Sequence, residues 1–283
     1  MNNRATIEPT SATNVAKAVL HTHQEHRRVR IVGQSNLEHL RPEADAGTLL
    51  LSTRALNTID LVANDLIAHV GSGVDLHILD TCLQAAGLYW PVSRLEAPGT
   101  IGGIVGSGRA TASSTADGPA RRWVLGAQLV NGLGQTLTVG GATVKNSVGY
   151  GLTHALWGSH GQLGAVTRLT LRLRTRTEQD TVGPVITQTA LLQAKAVLRC
   201  ENLAPPDTNK VLDYVSMAKA RVKAKDESRI VALYDHRKEA ELAATKLQTS
   251  DIDARVEPLM KTQPDSPTFL ALRASLDPHG LFA

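Results

Sequence analysis

The stretch from Ala165 to Arg174 constrains this chain most. Ala165, Thr167, Leu169, Leu171 and Leu173 fall on one face, and Val166, Arg168, Thr170, Arg172 and Arg174 on the other. A period of two is the pattern of a long strand with one buried face. Glycine turns deliver it: Gly140-Gly141 opens the approach, a helical segment spans about Leu152 to Trp157, and Gly158-Ser159-His160-Gly161 turns the chain into the strand. Gly158, Gly161 and Gly164 tolerate positive φ and let backbone come close to another group, so the segment reads either as a turn or as a ligand contact.

A chain of 283 residues, 42% hydrophobic and 20% charged, can bury a substantial core and is long enough for two domains. With aromatics at 3%, that core is built from Leu, Val, Ile and Ala. No apolar run approaches the roughly 20 residues needed to span a bilayer, and the N-terminus lacks the apolar centre of a signal peptide, so a cytoplasmic location is expected. Cys82 and Cys200 supply neither a disulfide framework nor the ligands of an iron–sulfur cluster. The net charge is +4 with scattered basic residues and no nucleic-acid-binding motif, which gives no reason to expect nucleic acid as a partner.

Ser11 to His26 reads as an amphipathic helix with Ser11 or Thr10 as N-cap and Val15, Ala18, Val19 and Thr22 on one side. His21, His23 and His26 spread around its axis, so no metal site is expected there. A strand, Val29 to Val32, runs into Gly33-Gln34-Ser35-Asn36, a turn able to present backbone N–H groups to a pyrophosphate. Short strands follow at Thr48 to Ser52, Leu56 to Asp60 and Leu66 to Val70. Then come Gly71-Ser72-Gly73 and a helix from about Val74 to Ala86, stopped by Gly87. The Gly71 turn lacks the third glycine of a dinucleotide fingerprint, and Asp75 near the helix start repels phosphate.

A second glycine-rich segment, Pro98 to Gly108, has no Gly-Lys-Ser/Thr ending and is no P-loop. Its five glycines cost backbone entropy on ordering. Arg109 to Ala120 reads as a surface loop. Arg122 to Val130 then pairs as a hairpin with Gln135 to Val139 through Asn131-Gly132. Thr175 to Gly183 reads as a linker. Beyond it Pro184 to Leu192 looks extended, Asn209 to Val222 helical, Arg229 to Tyr234 a strand, Arg237 to Leu247 a helix and Ile252 to Pro258 a strand, with Lys219, Arg221, Lys223 and Lys225 as a solvated charge run.

One string is far more specific than any single glycine motif: Lys145-Asn146, Gly149-Tyr150, Leu152-Thr153, then Gly158-Ser159, Gly161, Leu163-Gly164 and Thr167. In this order it resembles the second half of the FAD-binding domain shared by p-cresol methylhydroxylase (PCMH), vanillyl-alcohol oxidase and bacterial glycolate oxidase, above all the FAD-binding subunit of the glycolate oxidase complex. The resemblance implies an α+β fold. A two-subdomain PCMH-type FAD-binding domain occupies residues 1–178, with subdomains of about 1–90 and 91–178, and a small, shortened α+β cap domain with the C-terminal segment occupies 179–283. The ending Leu276-Asp277-Pro278-His279-Gly280 is similar to the family's L-D-P-x-G.

The resemblance also implies non-covalent FAD held by Gly33, Gln34, Ser35 and Asn36 at the pyrophosphate and by Pro98, Gly99, Thr100, Gly102, Gly103 and Gly108 along the flavin. Gly161, Gly164 and Val166 complete the implied set. It departs from the family at Arg122 or Trp123, where the family carries Asp, and at Gly151, where it writes G-Y-D-L. No catalytic residue can be named and no metal is implied. The leading expectation is a subunit of a glycolate-oxidase-like 2-hydroxy-acid dehydrogenase. Its partners would be a larger FAD-containing catalytic subunit and an iron–sulfur subunit, without a transmembrane segment and at most peripherally on a membrane through those partners. A degenerate flavin-fold scaffold and an independent small flavin reductase are the alternatives.

Overall fold

A computed structural model describes residues 5–35, 43–92, 99–108, 120–142, 150–176, 196–200, 205–217, 222–225, 230–234, 237–250, 252, 254–258 and 266–282. Strands β1 (Thr6–Ile7), β2 (Val29–Val32) and β3 (Leu49–Ser52) form a parallel sheet in the order β1-β3-β2. Helix α1 (Ala12–Gln24) is capped by Ser11, whose side chain accepts from Asn14 N at 3.2 Å. Its apolar face buries Val15 and Val19 with Val29, Leu51 and Leu56.

The alternating segment is the central strand of the larger sheet. Strand β9 (Ala165–Arg172) lies between β5 (Ile67–Gly71) and β7 (Val124–Val130), flanked by β4 (Ile59–Val62) and β8 (Thr136–Gly140), all antiparallel. Its buried and half-buried residues alternate from Ala165 to Leu171, as the period of two dictates. Leu169 and Leu171 join Leu79 and Leu83 of α2 (Leu76–Ala85), Trp90, and Ile104 of α3 (Ile101–Ser107) in one core. A two-stranded ribbon joins β6 (Leu88–Tyr89) to β10 (Arg174–Thr175).

A second antiparallel sheet has the order β12-β13-β11-β14, formed by β11 (Ala196–Cys200), β12 (Val222–Lys225), β13 (Ile230–Tyr234) and β14 (Ala254–Pro258). With α5 (Pro205–Met217) and α6 (Arg237–Gln248) it buries its own core around Leu198, Val211, Ala232 and Leu247. Helix α7 (Pro267–Leu276) returns to the first core through Phe269 and Leu276.

Several expectations are corrected. The glycine-rich segment, given no secondary structure from sequence, forms a helix over residues 101–107 capped by Thr100. Val222 belongs to a strand, because the preceding helix starts earlier, on Pro205, a residue pre-set for the first helical turn, and ends at Met217. The strand expected at Leu56 begins at Ile59, since Leu56 N is held in a turn by Thr53 O. Arg122 and Trp123 lie in a 3-10 turn before β7. The hairpin loop runs over Asn131–Gln135, with Asn131 Oδ1 accepting from the N–H groups of Leu133 and Gln135 and the positive φ falling at Gly134. Strand β11 and helix α7 were not anticipated. Of the surface loop expected from Arg109 to Ala120, residues 109–119 lie outside the described residues and Ala120 opens the 3-10 turn; the reading of Pro184 to Leu192 also lies outside them.

The C-terminal turn is held by a buried carboxylate. Asp277 Oδ1 accepts from Leu281 N at 2.8 Å and Oδ2 from Phe282 N at 2.9 Å, which seats Phe282 beside Val29. Asp277→Ala is expected to cost about 3 kcal/mol, because two charge-assisted bonds go and two buried N–H groups lose their partner. A urea midpoint unchanged within error contradicts this.

Candidate functional site

Three segments distant in sequence meet where β2 ends. The backbone at 99–102 lies along the turn that follows β5: Leu76 N donates to Gly99 O at 3.0 Å, Ile101 N to Val74 O at 2.9 Å and Gly102 N to Ser72 O at 2.8 Å. Ser72 N in turn donates to Thr167 O of β9 at 3.1 Å. Thr100 is extended and its Oγ1 accepts from Gly103 N at 3.1 Å, the N-cap that starts α3. The end of β2 closes on this cap, since a Cβ on Gly33 would overlap the Thr100 hydroxyl. Gln34 Nε2 donates to Asp75 Oδ2 at 2.5 Å, and Asp75 Oδ1 caps α2 by accepting from His77 N at 2.8 Å. Ser35 follows in a left-handed conformation, φ 58°.

The other end of α3 is clamped by the second glycine turn. Gly108 closes the helix with φ 58°. Val105 O accepts from Gly158 N at 2.9 Å and Gly106 O from His160 N at 2.8 Å, so two terminal carbonyls of the helix are satisfied from outside it. Gly161, φ 81°, packs on Ile31 of β2.

Of the residues expected to form a site, the structure brings Gly33, Gln34, Thr100, Gly102 and Gly103 together at one end of α3, with Ser35 and Gly99 adjoining, and Gly108 and Gly161 at its other end. Gly164 and Val166 are accounted for by the sheet. A Cβ on Gly164 would sit 2.6 Å from Val130 O, and Val166 pairs with Leu129 and packs against the core. Asn36 and Pro98 lie outside the described residues.

The glycines of α3 differ in what they serve. A Cβ on Gly102 would lie 2.7 Å from Ser72 Cβ, so close packing on the chain itself requires glycine there. Gly103 would meet only the Thr100 hydroxyl, at 3.0 Å, and Gly106 would meet nothing within 4 Å. Neither has a positive φ. Each costs about 1 kcal/mol against alanine in a helix interior. Spaced by three, they share one face and leave a bare strip of backbone that no part of the described chain fills. Such a cradle suits a flat ligand lying on the main chain. Ser72, 1% exposed and next to Gly102, also keeps a buried Oγ without a hydrogen-bond partner among the described residues.

Spacing did not reveal Ser72, Asp75 or Gly106 as parts of this arrangement. The Gly71-Ser72-Gly73 turn fails as a dinucleotide fingerprint and belongs to the site as the ledge under α3. Among the described residues no group of three His, Cys, Asp or Glu side chains could hold a metal ion.

Residues 4–140 match the family described as FAD binding domain. The chain is 34% identical over 125 residues to a D-lactate dehydrogenase of Archaeoglobus fulgidus, covering 44% of this chain and 28% of that protein. Over 130 residues it is 37% identical to a D-2-hydroxyglutarate dehydrogenase of Xanthomonas citri pv. viticola, 45% and 27% of the two chains. Over 114 residues it is 31% identical to the glycolate oxidase subunit GlcE of Escherichia coli, 40% and 33%. The matched stretches thus cover about a third or less of these relatives.

Proposed function

We propose, from the match of residues 4–140 to the FAD binding domain family, that this chain is the FAD-binding subunit of a 2-hydroxy-acid dehydrogenase complex of the glycolate oxidase kind. The observation that carries the reading is the bare Gly103–Gly106 strip on a helix clamped at both ends. Relatives named as dehydrogenases of D-lactate and D-2-hydroxyglutarate and as a glycolate oxidase subunit support the reaction class. FAD, when bound, would supply two-electron redox chemistry, passing electrons between a catalytic subunit and an iron–sulfur partner.

The chain's own part is binding and orientation. The turn at Gly33-Gln34-Ser35 offers backbone N–H groups, Thr100 fixes the start of α3, and Gly103 and Gly106 let an aromatic ring system rest on the main chain. We place the binding domain at residues 1–178 and a cap with the C-terminal segment at 179–283, whose helix α7 packs back on the first core. The five-stranded sheet, which joins β4 and β5 to β7–β9, spans the expected subdomain boundary near residue 90. Substrate oxidation then needs the larger flavoprotein subunit and the iron–sulfur subunit. No described helix is long and apolar enough to cross a membrane.

The test is the purified chain alone. It should carry flavin that acid precipitation releases, and it should show no turnover with an artificial electron acceptor over a panel of 2-hydroxy acids. Colourless protein that does not take up FAD sinks the cofactor assignment; turnover equal to that of a complex sinks the subunit assignment.

One observation favours the alternative of a fold that has weakened its hold on the cofactor: the Asp75 carboxylate sits on Gln34, in the turn assigned to the pyrophosphate. Like charges held a few ångströms apart near the surface repel by about 1 kcal/mol or more. Asp75→Asn keeps the helix cap and removes the charge, so it is expected to tighten FAD binding by about fivefold. An equilibrium titration showing weaker binding in the variant instead assigns Asp75 a supporting role.

A further inference from the structure

Five basic side chains gather around Trp123 at one end of the five-stranded sheet, where β7 begins and β9 ends. Arg121 and Arg122 come from the turn before β7, Arg172 is the last residue of β9, Arg174 the first of β10, and His154 lies on α4 (Tyr150–Leu156). The ladder pairs Val124 with Leu171, which sets Trp123 beside Arg172. The Arg172 guanidinium lies 5.4 Å from the indole centroid and that of Arg174 6.0 Å. The indole itself is 8% exposed, and Trp123 O accepts from Trp90 Nε1 at 3.2 Å, so the platform is anchored in the core.

All four arginines are exposed. Their charge is felt locally: burial first, then Arg121 and Arg122, hold the His154 imidazole below its usual range. Among the described residues the carboxylate that strand register brings near is Asp65, on the turn before Ile67, the partner of Arg172, and it forms no ion pair with a described arginine of this group. Elsewhere Arg27, Arg28, Arg168 and Arg237 each pair with an acid, whereas among the described residues Arg121, Arg122 and Arg172 pair with none. Like charges fixed together cost energy, and stacking on the indole offsets only about 0.5–1 kcal/mol per contact.

We propose that the surface formed by Arg121, Arg122, Arg172 and Arg174 around Trp123 is a docking site for the acidic face of a partner protein. Guanidinium groups pair bidentately with carboxylates, and arginine and tryptophan dominate interface energetics. Anchoring on the sheet end reduces the ordering cost of association. Four exposed guanidinium groups from three elements span more than one small acid can engage. Nucleic acid fits less well, because the indole is covered by guanidinium groups and offers no ring for a base to stack on. The surface stands independently of flavin binding.

The probe is poly-L-glutamate, titrated into the full chain at rising salt. Binding should saturate and weaken steeply with salt. The pair Arg121→Glu and Arg172→Glu should lose about tenfold or more in affinity, while Lys17→Glu with Lys238→Glu, an equal charge change on other exposed sites, should lose less than about twofold. Both pairs should keep the wild-type melting temperature, and Arg121→Glu should raise the His154 titration midpoint seen by NMR. Equal losses in the two pairs overturn the proposal as net charge alone. Tighter binding of a DNA oligomer, lost in the same variant, overturns it in favour of nucleic acid. Displacement of poly-L-glutamate by a 2-hydroxy acid at equal carboxylate concentration overturns it in favour of a small-acid site.

Discussion

Gly103→Val is expected to weaken FAD binding by about a hundredfold or more while leaving the protein folded. The first new atom, Cβ, meets only the Thr100 hydroxyl at 3.0 Å, and beyond it the described chain leaves open space. Glycine is among the poorest helix formers, so valine in α3 carries no propensity cost that would lower stability. The branched side chain instead fills the strip on which the flavin is proposed to lie. Gly106→Val tests the same face one turn later, where nothing lies within 4 Å of the new atom. The measurements are the visible flavin bands of the purified variants, an FAD reconstitution titration and a thermal melt. Wild-type FAD affinity in both variants means that α3 does not carry the cofactor.

Much of the frame was legible because its signals are local. One buried face wrote a period of two into residues 165–172, and Ser11 marked the start of α1 by a side-chain cap that needs nothing beyond the next three residues. Helix α3 was not legible. Local propensity opposes it, and its supports are distant: Val74 and Ser72 at one end, Gly158 and His160 at the other. Strand β11 is a short apolar run, Ala196-Val197-Leu198, that periodicity alone does not separate from helix.

The site divides the same way. Gly33, Thr100, Gly102 and Gly103 were named through the family resemblance. Nothing in sequence tells Gly102, whose Cβ would clash with Ser72, from Gly106, whose Cβ would meet nothing within 4 Å among the described residues. Asp75 reads as a charge that repels phosphate, and only the fold shows it bound to Gln34, 41 positions earlier. The basic surface around Trp123 is assembled from positions 121 to 174 by sheet register and has no linear signature.

Gly73→Ala is expected to do the opposite of Gly103→Val and remove the fold along with the site. A Cβ on Gly73 would overlap Thr53 O and lie 2.7 Å from Arg54 O and 2.8 Å from Arg54 C. These are main-chain atoms, so no rotamer change relieves the clash. Nor is that main chain free to shift: Thr53 N donates to Val32 O at 2.9 Å, and Leu56 O accepts from Gly73 N at 2.9 Å. Moving either side of the contact breaks the join between the parallel sheet and the turn after β5. Gly71 is equally confined, since a Cβ there would overlap Leu56 O. Between the two glycines, Ser72 gives its carbonyl to Gly102 and its N–H to Thr167, so this turn ties α3 to the central strand. A loss of more than about 4 kcal/mol follows, in the range reserved for main-chain clashes and broken cores. Gel filtration and far-UV circular dichroism at room temperature should show an expanded or aggregated chain without flavin. A compact Gly73→Ala protein within about 1 kcal/mol of wild type in urea contradicts the packing of residues 71–73 on residues 53–56, and with it the ledge on which α3 rests.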